Sequence, residues 1–153
     1  MAITTNAIAN SFKKELLEAK HNFSTSGSGG NTFKLAMYTN SATLGKSTTA
    51  YATNPGGGAN TEVANTGQYT AGGSALVNVG TSIATNTAIT DFADLSFTGV
   101  TLTARGALIY NDTASGDPAV AVLDFGGDKT ATAGTFTIQF PAFTTSAAIL
   151  RIA

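Results

Sequence analysis

Few side chains in this 153-residue chain carry the chemistry of a catalytic centre. His21 is the only histidine and cysteine is absent, which excludes thiol catalysis and cysteine-based zinc sites. A Ser-His-Asp triad would need His21, but no nearby serine lies in the Gly-x-Ser-x-Gly turn that exposes such a nucleophile. His21 instead follows a predicted helix, where its charge would complement the helix dipole. We therefore predict that the protein is not an enzyme.

Acidic residues offer the other possible chemistry. Three pairs lie close in the sequence: Asp91 and Asp94, Asp112 and Asp117, and Asp124 and Asp128. Paired carboxylates could act as a glycosidase acid and base, or could ligate calcium from loops. The chain has no tryptophan to stack against a sugar and no EF-hand pattern. Aspartates at turns more often accept backbone hydrogen bonds. We predict that role here, with no cofactor and no metal site.

Charge is scarce across the whole chain. Charged residues make up 11% of the sequence, against roughly 25% in an average soluble domain, and the formal net charge is −1. The eight basic residues are scattered, which argues against nucleic-acid and membrane-surface binding. No apolar run is long enough to span a bilayer, and residues 1–10 lack the pattern of a secretory signal. Such a composition favours a subunit packed beside copies of itself or a large partner, although 26 threonines could also reflect strand propensity alone.

The N-terminal residues show helical periodicity. The spacing of the apolar residues predicts a helix over residues 6–21, capped by Thr5 or Asn6, with a Lys14–Glu18 pair across one turn. The apolar stripe consists of Ile8, Phe12, Leu16, Ala19 and Phe23. It could pack on the chain's own sheets or on a neighbouring subunit.

Residues 31–153 alternate with a period of two, as half-buried strands do. The strongest candidates are TFKLAMYT, TLTARGALIY, AVAVLDF, TFTIQF and AAILRI, with weaker ones in SALVNV, TAITDF and LSFTGVT. A hairpin is expected at residues 111–118, a connection at Gly126-Gly127-Asp128, and a strand end before Pro141. About eight strands without intervening helices predict one mainly β domain over residues 1–153, an antiparallel jelly-roll-like sandwich with one N-terminal helix.

The segment between the first two strands is predicted to be a flexible loop near residues 45–68. A loop of this length is a tolerated insertion, or an arm that becomes ordered against a neighbouring subunit. Together with the helical stripe it supplies our predicted partner interface. That set comprises Ile8, Phe12, Leu16, Tyr51, Asn54, Pro55, Val63 and Tyr69.

The sequence also resembles a group of small tailed-bacteriophage proteins encoded among virion structural genes. The resemblance covers most of the chain and departs most over residues 50–68. The matching segments are MAITTNAIANSFKKELLEAKHNF, TFKLAMYTNSATLG, YTAGGSALVNV, ARGALIYND, AVAVLDFGGDKTATAGTFTIQFP and AAILRI.

This resemblance implies a virion protein, made in the host bacterial cytoplasm, without catalytic residues. The expected role is a capsid decoration (cement) protein that bridges major capsid protein subunits, with the chain itself forming a dimer or trimer. The alternatives are another virion component, such as a tail, neck or fibre-associated subunit, and a carbohydrate-binding β-sandwich module. The absence of tryptophan weakens the last of these.

Overall fold

The computed structural model describes residues 3–153, and its secondary structure is mainly antiparallel β-sheet with one short α-helix. Met1 and Ala2 of the predicted domain lie outside the described residues. The elements in chain order are β1 (Ala7–Ile8), α1 (Asn10–Leu17), a 3₁₀ turn (Ser26–Ser28), β2 (Phe33–Tyr38), β3 (Ser74–Ala75), β4 (Asn78–Ala84), β5 (Thr87–Phe92), β6 (Leu95–Asn111), β7 (Ala119–Ile138) and β8 (Leu150–Ile152). The predicted mainly β fold with an N-terminal helix is confirmed.

The strands form two sheets, and all described pairings are antiparallel. The larger sheet has the order β1-β7-β6-β2-β3, and the smaller sheet has the order β4-β5-β8. The two longest strands, β6 and β7, are consecutive and form one long hairpin at the centre of the larger sheet. A jelly-roll arrangement is not confirmed, because the sheets contain five and three strands.

The middle of the larger sheet is buried on both faces. On one face Phe33 stacks on Phe23, with ring centroids 4.3 Å apart, beneath the helix and the smaller sheet. On the opposite face the hydroxyl of Tyr110 donates to the carbonyl of Gly72, 2.6 Å away, beneath the long segment 40–73. This double cover explains the continuous apolar runs in β2 and at the start of β7, since a strand buried on both faces needs no polar side.

The helix is shorter than predicted because tertiary hydrogen bonds compete at its start. The backbone N–H of Ala9 donates to Val120, and that of Asn10 donates to Lys46, so residues 7–9 join the sheet and do not extend the helix. Ala9 occupies the N-cap without a side-chain cap bond, so the predicted capping by Thr5 or Asn6 is wrong. The predicted pair of Lys14 and Glu18 is present, 3.1 Å apart.

The predicted connection at Gly126-Gly127-Asp128 is also wrong. Residues 119–138 form one continuous strand, and the glycines make a bulge inside it, because Ala104 pairs with Lys129 while Gly106 pairs with Asp124. Gly126 has φ +75°, a conformation that glycine tolerates without a steric cost. The hairpin at residues 111–118 and the strand end before Pro141 agree with the predictions.

Candidate interaction surfaces

The outer halves of β6 and β7 carry a face of hydroxyl side chains. Opposing residues meet in rows: the hydroxyls of Ser96 and Thr137 lie 2.8 Å apart, and those of Thr103 and Thr130 lie 2.9 Å apart. Between these rows Thr101 accepts a hydrogen bond from the N–H of Ala133 at 2.9 Å. The exposed residues of this hydroxyl face are Ser96, Thr98, Thr101, Thr103, Thr130, Thr132, Thr135 and Thr137. None of them carries a charge.

Bulges on both strands keep the hydroxyls on one side. Gly99 on β6 has φ +64° and Ala133 on β7 has φ +45°, and the register shifts at this point. Each strand contains one extra residue there. On β6 the buried side chains therefore change from odd-numbered to even-numbered residues, while they remain on the same face of the sheet. Phe97 and Val100 are therefore both in the core, although they are three residues apart. Strict alternation would have turned one of them to solvent.

The outer edge of β7 is available for pairing along most of its length. Only Ala121 and Val122 pair with β1, so residues 125–138 have no strand on that side among the described residues. Unpaired backbone N–H and C=O groups at such an edge can add a strand from another chain. The hydroxyl face and this edge belong to the same hairpin and form one continuous surface.

An apolar groove lies elsewhere, between α1 and the smaller sheet. Its volume is about 310 Å³. Three residues of the predicted interface, Ile8, Phe12 and Leu16, line it. The other residues that line it were not part of the predicted interface. Those additional residues include Lys13, Ile89, Leu150, Arg151 and Ile152. The alternation of the C-terminal strand was recognisable in the sequence, but its position beside the helix depends on the fold.

The remaining predicted interface residues are spread over the long segment. Val63 and Tyr69 are buried in the chain's own core, as is Phe12 of the helix. Tyr51 and Pro55 are half-buried, and Asn54 is exposed. The structure therefore brings Ile8, Phe12 and Leu16 together in the groove, but none of the predicted residues of the segment 45–68 lines it. The buried members serve the chain's own packing and present no free surface.

The segment 40–73 is tied to the sheet by a cluster of tyrosines around Glu62. Tyr51 donates to one carboxylate oxygen of Glu62 at 2.8 Å, while Tyr69 and the N–H of Gly72 donate to the other at 3.2 and 2.5 Å. Tyr110 stacks on Tyr51 with centroids 4.7 Å apart. Burial raises the pKa values of these three tyrosines, and of Tyr38 beside them, above the ordinary 10.0. The cluster contains all four tyrosines of the chain and fastens the segment expected to be flexible.

His21 belongs to a second buried network and not to an accessible catalytic site. Its Nε2 lies 2.8 Å from Glu15, and its Nδ1 lies 3.1 Å from the side-chain nitrogen of Asn111. The oxygen of Asn111 accepts two backbone N–H groups, from Thr113 and Ala114, which sets the orientation of the amide. Asn111 must then donate to Nδ1, so Nε2 carries the proton and donates to Glu15. The His21 side chain is fully buried, and its ring nitrogens contact the side chains of Glu15 and Asn111.

Asp91 and Asp94 accept backbone hydrogen bonds, which is the role predicted for the aspartates. Asp91 accepts the N–H groups of Phe92 and Ile149, and Asp94 accepts that of Phe140. Within residues 3–153, no group of three or more histidine, aspartate or glutamate side chains could hold a metal ion.

In each of the other two predicted pairs, one aspartate forms an ion pair with a basic side chain. Asp112 pairs with Lys34 at 3.0 Å, and Asp124 pairs with Arg105 at 3.1 Å. Asp124 also accepts the N–H of Gly126, which holds the bulge in β7.

Comparisons with known proteins add no relative. No protein-family model, no curated protein and no solved structure matches this chain. None of the helices in the described part of the chain has the length and apolar character needed to cross a bilayer.

Proposed function

We propose that this chain is a non-enzymatic structural protein of a tailed-bacteriophage virion, where it decorates the head and bridges major capsid protein subunits. The observation that carries the proposal is the hydroxyl face on the β6–β7 hairpin, eight exposed threonine and serine side chains without a charge. The resemblance to small virion proteins supports the same role.

The chemistry of the hydroxyl face favours broad lateral contact. Removing a charged group from water costs several kcal/mol, whereas a hydroxyl costs about 1–3 kcal/mol and recovers much of this when it finds a new partner. The hydroxyls of Ser96 and Thr137 already bond to each other, which lowers the cost further. A large flat partner can therefore cover this face at little cost, and the unpaired edge of β7 can bond to its backbone.

A decoration protein gains strength from the lattice that it binds. Binding only to the assembled head stabilises that state by mass action, and repeated copies raise the effective concentration of each contact. The role needs a rigid β core that transmits force between neighbours. Contacts of the non-strand segments with the larger sheet support this rigidity, since the N–H of Met37 donates to Tyr69, Tyr110 donates to Gly72, and Asn111 bonds to His21.

The direct test is the location and number of copies in purified virions of the phage that encodes the chain. Cryo-electron microscopy and quantitative mass spectrometry should place the protein on the mature head, in a copy number comparable to that of the major capsid protein. A location on the tail or neck would replace this proposal with that of another virion component. Absence from the virion would overturn the virion role.

A variant tests whether the hydroxyl face makes the contact. Thr103→Lys places a charge within a hydroxyl row, and binding to heads that lack the protein should weaken about 10- to 100-fold because the charge must be desolvated. Thr145→Lys is the matched control, an exposed threonine outside the strands, and it should bind like the wild type. Equal binding by both variants, with unchanged melting temperatures, would exclude this face as the contact.

A further inference from the structure

The side chain of Asn111, the last residue of β6, contacts the post-helix segment, which we define as residues 18–31. The nitrogen of its amide lies within hydrogen-bond distance of three acceptors in this segment. They are the carbonyl of Lys20 at 3.3 Å, Nδ1 of His21 at 3.1 Å and Oδ1 of Asn31 at 3.0 Å. These contacts, which we call the Asn111 latch, join the post-helix segment to the larger sheet.

The amide of Asn111 is held in this orientation by its oxygen. The oxygen accepts the backbone N–H groups of Thr113 and Ala114, at 3.0 and 3.2 Å. A rotation by about 180° would direct the NH2 group at these two donors and would leave the acceptors of the post-helix segment without a hydrogen. Asn111 is fully buried, so water cannot replace the lost bonds. Nδ1 of His21 therefore has to accept a hydrogen bond while the latch is closed.

The charges on the helix side of His21 balance while its ring is neutral. The titratable groups there are Glu15 of α1 and Lys20. Nε2 of the ring lies 2.8 Å from one carboxylate oxygen of Glu15, and Nζ of Lys20 lies 3.4 Å from the other. The negative charge of Glu15 is thus already paired with a cation. A proton on Nδ1 would leave this group with one excess positive charge.

The other neighbours of the imidazole offer no acceptor for a second proton. Phe12, Phe23 and Phe33 have ring centroids 4.9, 6.4 and 6.4 Å from its own. The charged side chains at the neighbouring strand ends, Lys34 and Asp112, pair with each other at 3.0 Å. Because the imidazole is fully buried, a proton on Nδ1 would lack both a carboxylate and water.

We propose that protonation of His21 opens the Asn111 latch, so that the post-helix segment separates from β6 at mildly acidic pH. The added proton turns Nδ1 into a donor that faces the NH2 group of Asn111. Opening relieves this repulsion, because water can then solvate the ring. It also uncovers the stacked rings of Phe23 and Phe33, while β1 stays in place because it pairs with β7. The inference is independent of the virion role, since it concerns the isolated protein.

His21 is the only histidine of the chain, so NMR of its ring nitrogens reports its protonation without ambiguity. Hydrogen exchange of the full chain would be measured over the same pH range. Protection factors in the post-helix segment should fall about tenfold for each pH unit below about 6.5, because opening takes up one proton. Protection in β6 and β7 should stay constant. Unchanged protection of the segment down to about pH 5 would overturn the inference, whether or not the ring becomes protonated.

Two variants distinguish the latch from a merely structural contact. His21→Gln cannot take up a proton, so protection of the post-helix segment should no longer depend on pH. Asn111→Asp supplies a carboxylate oxygen for a protonated Nδ1, so the ring should be protonated at neutral pH and acid should no longer open the segment. Asn86→Asp places the same charge in the exposed turn between β4 and β5, and this matched control should open like the wild type.

His21→Gln remains decisive if Asn111→Asp does not fold. A dependence on pH that survives in His21→Gln would assign the opening to another group and overturn the inference. Opening in acid that persists in a folded Asn111→Asp would overturn the repulsion at Nδ1.

Discussion

Ala19 occupies the position where helices often end with glycine. The N–H of Ala19 donates to Leu16 and that of Lys20 donates to Glu15, which is the bonding pattern of a Schellman motif. This pattern requires the left-handed conformation, and Ala19 has φ +56°. A side chain with a Cβ is strained there, so the helix ends at this point at the expense of some stability. The apolar periodicity continues past Ala19 to Phe23, which is why the sequence predicted a longer helix.

We expect Ala19→Gly to stabilise the protein by about 0.5–1 kcal/mol, because the gain from relieved strain exceeds the added entropy of the unfolded chain. Thermal and urea unfolding would measure the change. Ala84→Gly, at an exposed position in the extended strand β4, is the control and should destabilise the protein instead. A stability of Ala19→Gly equal to or below that of the wild type would contradict the strain at this site.

At the scale of elements, a single carboxylate links three parts of the segment 40–73 to one another, while contacts of Tyr69 with Met37 and of Tyr110 with Gly72 join the segment to the sheet. Glu62 accepts hydrogen bonds from Tyr51, Tyr69 and Gly72. Composition indicated a loop here because the segment is rich in glycine, asparagine and threonine. It did not indicate that the segment's few large side chains point into the core. Residues with weak strand propensity can still be well fixed when buried polar groups find every partner they need.

Glu62→Ala should destabilise the protein by about 3 kcal/mol or more, because it leaves three donors without their acceptor. The loss should be local at first, so hydrogen exchange should speed up in residues 40–73 before it does in β6 and β7. Glu18→Ala is the control, since Glu18 forms only an exposed pair with Lys14, and it should change stability by less than about 0.5 kcal/mol. Unchanged exchange in the segment would show that the cluster does not hold it.

The four tyrosines make the whole molecule sensitive to alkaline pH. Their pKa values are raised by burial in the folded state, above the 10.0 of an unfolded chain. A raised folded-state pKa contributes stability that is fully present below pH 10.0 and is lost as the pH rises above that value, because only the unfolded chain then releases the protons.

Tyrosine absorbance at 295 nm should therefore remain that of the neutral phenol through pH 10 in the native protein. It should then rise in one step together with the loss of circular dichroism. The protein unfolded in urea is the control, and its tyrosines should ionise near pH 10. Gradual ionisation of one or more tyrosines while the fold stays intact would show that the cluster is open to solvent.

The extent of prediction from sequence differs from strand to strand. β2 was recognisable because its run is short, largely apolar and bounded by turns, whereas the run of β5 was a weaker candidate. β7 was predicted as two strands because Gly126 and Gly127 resemble a turn, although in the structure they bulge out of a ladder that β6 holds on both sides of them. The sequence could not show this, because the residues next to Gly126 and Gly127 do not indicate that β6 pairs with β7 on both sides of them.

The sequence by itself determined the mainly β fold class and the N-terminal helix, because periodicity and composition act over neighbouring residues. Only the tertiary structure decided that His21 is buried against Glu15 and Asn111, that all four tyrosines surround Glu62, and that α1 forms a groove with the C-terminal strand. Some of these contacts, such as that between His21 and Asn111, join residues that lie far apart in the chain. Their energies depend on burial and on complete hydrogen bonding, which exist only once the sheets have assembled.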